Sequence, residues 1–109
     1  MTKSLAQMEQ EVTENNKAHG WHDESRSFGD DTALLHTEVS EAFEAYRDYG
    51  TAEVTREDGK PLDVASEFAD VLIRLLDTCG RYGVDLEAEY ERKMAYNRTR
   101  PHKHGGKRL

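Results

Sequence analysis

Four acidic residues are spaced in a way that could hold a divalent cation. Glu38 and Glu41 are three apart, and so are Glu67 and Asp70. Residues three apart are neighbours on one helical face, so each pair presents two carboxylates to one ion. A single pair of this kind is ordinary solvated helix surface. Two pairs in matching phase beside two apolar stripes carry more. The first stripe is Leu35, Val39, Ala42, Phe43 and Tyr46. The second is Val64, Phe68, Val71, Leu72, Leu75, Leu76 and Cys79. At about 100° per residue, Glu38 lies roughly 80° from the centre of its stripe and Glu67 about 100° from its own, in the same rotational sense. If the two helices pack stripe to stripe and antiparallel, all four carboxylates fall on one edge of the interface. A parallel packing would separate the pairs.

Convergent carboxylates repel one another and call for a cation. Hard oxygen donors suit Mg²⁺, with Mn²⁺ as a substitute, and Mg²⁺ is commonly held by carboxylates together with substrate phosphates. A water made more acidic by the ion is the expected nucleophile. Glu41 is the first candidate for general base and Glu38 the second, and the choice stays open. Glu44, one turn beyond Glu41, extends the acidic row and is read as peripheral. A carboxylate-bridged di-iron bundle would need Glu-x-x-His, but the partners here are Glu41 and Asp70. The segment Thr55 to Asp63 lacks the acidic alternation of an EF-hand. Zinc at His19 and His22 lacks further ligands at suitable spacing.

The elements that must position these residues are helices. Hydrophobic periodicity and turn residues predict a polar amphipathic helix over 2–18, a loop over 19–29 with Trp21 and Phe28, a helix over 31–48 capped by Asp30 or Asp31, and a polar connection over 50–62. A very apolar helix follows over 63–79 with Asp63 as N-cap. Gly80 to Gly83 form a break, and a last helix runs from Asp85 to about Asn97. Pro101 and Gly105–Gly106 are expected to end regular structure. Ile73 projects from a second apolar face, a hint of a subunit contact.

The whole chain, 1–109, reads as a single domain with a basic tail from about residue 98. A core this thin is commonly supplemented by association. Net charge is −7, unevenly placed: residues 92–109 hold seven Lys or Arg and no acid, against eight basic and 22 acidic residues in 1–91. An acidic body disfavours duplex nucleic acid, while the tail is suited to neutralising phosphates. The lone Cys79 cannot form an internal disulfide and fits a reducing, cytoplasmic setting. Met1 to Gln10 lack the apolar run of a secretory signal, and no segment suggests a membrane span.

These motifs resemble the MazG-like, all-α NTP pyrophosphatase superfamily, whose pattern is EExxE, a spacer, then ExxD. The chain has Thr37-Glu38-Val39-Ser40-Glu41, then Glu67-Phe68-Ala69-Asp70. Thr37 stands where the family has its first Glu, which is not usually a principal ligand. Lys93, Tyr96, Asn97, Arg100 and Pro101, then His104, Gly105, Gly106 and Lys107, are similar to the ending of short, single-domain, phage-type members. The resemblance covers roughly residues 30–109. It implies a four-helix bundle with an antiparallel central hairpin, in a homo-oligomer, dimer or tetramer, with sites near subunit contacts. It implies Mg²⁺ on Glu38, Glu41, Glu67 and Asp70, and hydrolysis of an NTP or dNTP at the α-phosphorus to monophosphate and pyrophosphate. Lys93, Asn97 and Arg100 would hold the triphosphate and sugar. Apart from the resemblance, Trp21 has two readings, an apolar cover or interface anchor, or a ring that stacks on the base. A narrow-specificity dUTPase-like, dCTPase-like or phosphoribosyl-ATP pyrophosphohydrolase relative remains an alternative, as does a non-catalytic nucleotide-binding regulator.

Overall fold

In the computed structural model, residues 2–109 are described; Met1, the start of the stretch read above for a signal, lies outside them. Five helices follow one another: α1 (Leu5–Ala18), α2 (Phe28–Tyr49), α3 (Val64–Tyr82), α4 (Leu86–Arg98) and the single turn α5 (Lys103–Gly106). No strand occurs among the described residues, only an isolated bridge between Thr55 and Pro61. No described helix is long and apolar enough to cross a membrane.

Short polar side chains start the helices by accepting hydrogen bonds from free N–H groups. Ser4 and Gln7 form a reciprocal box at α1, and Asp63 and Asp85 cap α3 and α4 as expected. At α2 the cap is Ser27, and Asp30 answers it from the third helical position. The helix therefore begins at Phe28, earlier than the Asp30 or Asp31 cap predicted, because Ser27 and Asp30 satisfy two backbone donors reciprocally. Asp31 is left free for another use. α3 also runs past the expected break, through Gly80 to Tyr82, and stops at Gly83 in the left-handed conformation. Gly80 stays helical because α1 passes close by: a Cβ there would lie 2.6 Å from Thr13 Oγ1. Beyond Pro101 the tail makes one turn with left-handed His104 and Gly105 inside it, where no regular structure was expected.

α3 is the central helix, packed on α2 and on α1, while α4 contacts α1. The α2–α3 hairpin is antiparallel, since Tyr82 Oη donates to Asp31 at 2.8 Å and Arg74 to Glu38 at 2.9 Å. Its interface differs from the stripe-to-stripe packing predicted. Among the described residues the buried apolar side chains are Ala42, Ala45, Leu76 and Cys79. Val39, Phe43 and Tyr46 of α2, and Phe68 and Leu72 of α3, are exposed. Small alanines on α2 let that helix approach Leu76 and Cys79 of α3, while Val39, Phe43, Tyr46, Phe68 and Leu72 of the stripes stay outside that seam. Ile73, read as projecting from a second face, is exposed and borders a groove with Val12 and Asn15 of α1.

The connection over 50–62 is ordered as a tight turn. Leu62 N–H donates to Val54 O, Arg56 N–H to Lys60 O, and Gly59 N–H to Arg56 O. Asp63 anchors it: one oxygen accepts from Ser66 N–H at 2.9 Å and the other from Val54 N–H at 3.0 Å. Those two backbone donors hold its carboxyl below the usual range.

Candidate metal and nucleotide site

The antiparallel hairpin brings one acidic turn of α2 opposite one acidic turn of α3. Carboxylate oxygens of Glu38, Glu67 and Asp70 lie within 4.8 Å of one another. Glu41 stands outside this trio, at the lip of the same cleft. Packing α2 on α3 through alanines, with part of each stripe exposed, leaves these residues on one edge, as the helical phase predicted.

The electrostatics are those of crowded like charge. Burial raises the pKa of Glu67, and Asp70, Glu41 and Glu38 push it further, against a lowering pull from Lys60. Asp70 is raised by burial and by Glu38, opposed first by a side-chain hydrogen bond with Glu67 and then by Lys60 and Arg74. Glu41 is raised by burial, then by Glu38 and Asp70, while Arg74 pulls it down. Glu67 Oε2 is buried and accepts no hydrogen bond. A buried carboxylate oxygen without a donor is costly. The trio therefore fits a small, hard divalent cation, which would supply the missing partner and cancel the repulsion.

Beside the carboxylates lies a cleft of about 270 Å³, lined by Asn16, Trp21, Arg26, Glu38, Glu41, Asp70, Ile73, Arg74 and Asp77. Its far wall is built on a buried polar hub. Asp77, 3% exposed, accepts from Asn16 Nδ2 at 3.1 Å, His22 Nε2 at 2.7 Å and Arg81 Nε at 2.9 Å. A carboxylate only accepts, so His22 donates from Nε2 and Asn16 presents its amide nitrogen. Burial alone would push the Asp77 carboxyl up; the bonds from His22, Arg81 and Asn16 outweigh it and hold the pKa at about 2. Arg26 pairs with buried Asp31 at 3.1 Å and reaches Asp77 at 3.6 Å. Arg81 also donates to the carbonyl of Trp21 at 2.6 Å, which fixes the loop that carries the indole. Trp21 itself is 63% exposed at the cleft.

Sequence reasoning named Glu38, Glu41, Asp70 and Trp21, and the structure gathers them at one cleft, with Glu67 in the adjoining trio. Lys93, Asn97 and Arg100 lie on α4 and just beyond it, and none lines the cleft. Lys93 and Arg100 each stand 5.8 Å from the Tyr96 ring. Glu44 is peripheral, as expected, 3.8 Å from Arg47. His22 is committed to Asp77, so the weak zinc alternative loses a ligand. Several contributors were missed, among them the buried hub residues Asp77 and Arg81. Arg74 could have been found, because it sits four after Asp70 and seven after Glu67 on one helical face. Asn16, Arg26 and Lys60 come from α1 and from loops, where no periodicity points at the site. No protein-family model, curated protein or solved structure matches this chain.

Proposed function

We propose that this chain is a magnesium-dependent nucleoside triphosphate pyrophosphohydrolase of the MazG-like kind, which hydrolyses an NTP or dNTP at the α-phosphorus. The observation that carries the reading is the convergence of Glu38, Glu67 and Asp70, with Glu67 Oε2 buried and bare, beside a cleft of about 270 Å³ that Trp21 also lines.

Glu38, Glu67 and Asp70 would hold the ion, Mg²⁺ or in its place Mn²⁺. Bound there, it offsets charge on the phosphate oxygens and makes a water more acidic. Glu41, which lines the cleft and has a raised pKa, would take the proton from the attacking water. The water oxygen bonds to the α-phosphorus as the bond to the bridging oxygen breaks, and pyrophosphate leaves. Trp21 offers its ring to the base.

The assembly is a homo-oligomer. Val39, Phe43 and Tyr46, together with Phe68 and Leu72, leave one side of the hairpin apolar and open, and a second copy of the same face is the occupant proposed. Lys93, Asn97 and Arg100, distant from their own cleft, are assigned to phosphate and sugar contacts in an assembled site.

The test is incubation with canonical and modified NTPs and dNTPs, with Mg²⁺ or with EDTA, and separation of products by ion exchange. Monophosphate plus pyrophosphate, lost in EDTA, is expected. Diphosphate plus phosphate would place attack at the γ-phosphorus and reject the mechanism. No turnover with tight nucleotide binding would make the chain a nucleotide-binding regulator.

A further inference from the structure

Arg74 occupies an unusual place among the carboxylates. It projects from α3 one turn after Asp70, and its Nη2 donates to Glu38 Oε1 at 2.9 Å. Glu38 is one of the three residues that converge within 4.8 Å. The side chains of Glu38 and Arg74 are 13% and 27% exposed, so the pair is partly shielded from solvent. Arg74 also lowers the pKa values of Glu41 and Asp70, which places its charge against three of the four acids. Among the described residues Glu38 is the one carboxylate that pairs with Arg74, and a guanidinium has five N–H donors.

Resting on the site reading above, we propose that Arg74 is the resident counter-ion of the carboxylate trio and exchanges partners when the site is loaded. In the metal-free protein it neutralises Glu38. With a divalent cation among Glu38, Glu67 and Asp70, the guanidinium faces two added positive charges and its carboxylate is shared with the ion. It then turns to the other anion that the cleft admits, a phosphate of the bound polyphosphate. A planar guanidinium meets phosphate oxygens in bidentate fashion. The second arginine of the cleft is less suited, because Arg26 is held between buried Asp31 and Asp77. Arg74 is thus a phosphate-binding residue that also sets the affinity of the site for metal.

The alternative is a fixed positioning role, in which Arg74 steers one Glu38 oxygen while the other binds the ion. The two roles give opposite signs. Mn²⁺ binding without nucleotide is measured for wild type, Arg74→Gln and Arg74→Lys by the electron paramagnetic resonance signal of the free ion. Inorganic tripolyphosphate binding is then measured at saturating Mn²⁺ by calorimetry. The exchange role predicts that Arg74→Gln binds Mn²⁺ more tightly than wild type, and tripolyphosphate on the order of tenfold more weakly. Arg74→Lys, keeping charge but losing the fork, falls between. Weaker Mn²⁺ binding by Arg74→Gln with unchanged helicity would overturn the proposal in favour of positioning. Unchanged tripolyphosphate affinity would also overturn it. Wild type that binds no Mn²⁺ would remove the site reading itself, and this proposal with it, which sets that failure apart from a failure of Arg74 alone.

Discussion

Each acid around the hairpin is used differently because its partners differ. Burial, reinforced by like charge, raises the pKa values of Glu67 and Asp70, whereas buried Asp77 faces donors and its pKa falls to about 2. The signs for stability are opposite. A raised carboxyl contributes stability that is present below its ordinary value and lost as pH rises through the raised one. A depressed carboxyl contributes stability that is present above its ordinary value and lost as pH falls through the lowered one. Metal-free Glu67→Gln should therefore gain stability over wild type as pH rises above about 4.5, and added Mg²⁺ should erase the gain; urea titrations from pH 3 to 8 would show it. The same variant, and Asp70→Asn, should lose turnover by on the order of 10³-fold or more with helicity intact. Full activity in both would end the site assignment. Asp77→Ala should cost about 3 kcal/mol, because it leaves the buried donors of His22, Arg81 and Asn16 unpaired. Thermal melting would check the cost, and a changed Trp21 emission would report the loosened loop.

The helices serve the site through how closely they approach. α1 lies against α3 where Gly80 offers no side chain to Thr13. Gly80→Ala should destabilise by about 1–3 kcal/mol through that clash. Adding Thr13→Ala should recover most of the loss, since Ala is about 1 kcal/mol better than Gly inside a helix. Equal melting temperatures for the single and double variants would show that α1 does not approach as described. The turn over 54–62 has a similar supporting part. Anchored by Asp63, it keeps Lys60 close enough to ease the charge on Glu67 and Asp70. Lys60→Ala should raise both carboxyl pKa values further and move any pH-activity profile to higher pH.

The single chain is more open than its length requires. Its radius of gyration is 16.7 Å, against about 13 Å for a compact chain of this size. Few apolar side chains are fully buried, while Phe43 and Phe68 are 65% and 61% exposed. Exposed apolar area of this kind marks an interaction surface. Phe43→Glu should therefore convert an oligomer to monomer in sedimentation velocity. It should also lower the melting temperature and make it independent of concentration. A wild-type chain that sediments as a monomer at every concentration would reject the assembly.

Period and spacing determined much of this. The 3.6-residue pattern marks three of the helices, the caps at Asp63 and Asp85 follow from local chemistry and the latter places the fourth, and the phase of Glu38, Glu41, Glu67 and Asp70 against their stripes puts them on one edge. These are short-range properties that the chain carries residue by residue. Which faces are buried was decided elsewhere. Ala42 and Ala45 with Leu76 and Cys79 make the buried core, and Val39, Phe43, Tyr46, Phe68 and Leu72 of the same stripes are left outside. The role of Ser27 hid behind two better-looking acidic caps. Asp31 reads in the sequence as a helix cap and Asp77 carries no signal there; their buried roles appear once His22, Arg26, Arg81, Asn16 and Tyr82 are brought to them from α1, a loop and the far end of α3. Side-chain donors distant in sequence meet only when helices pack, so the buried hub and the Arg74–Glu38 pair belong to the tertiary structure alone.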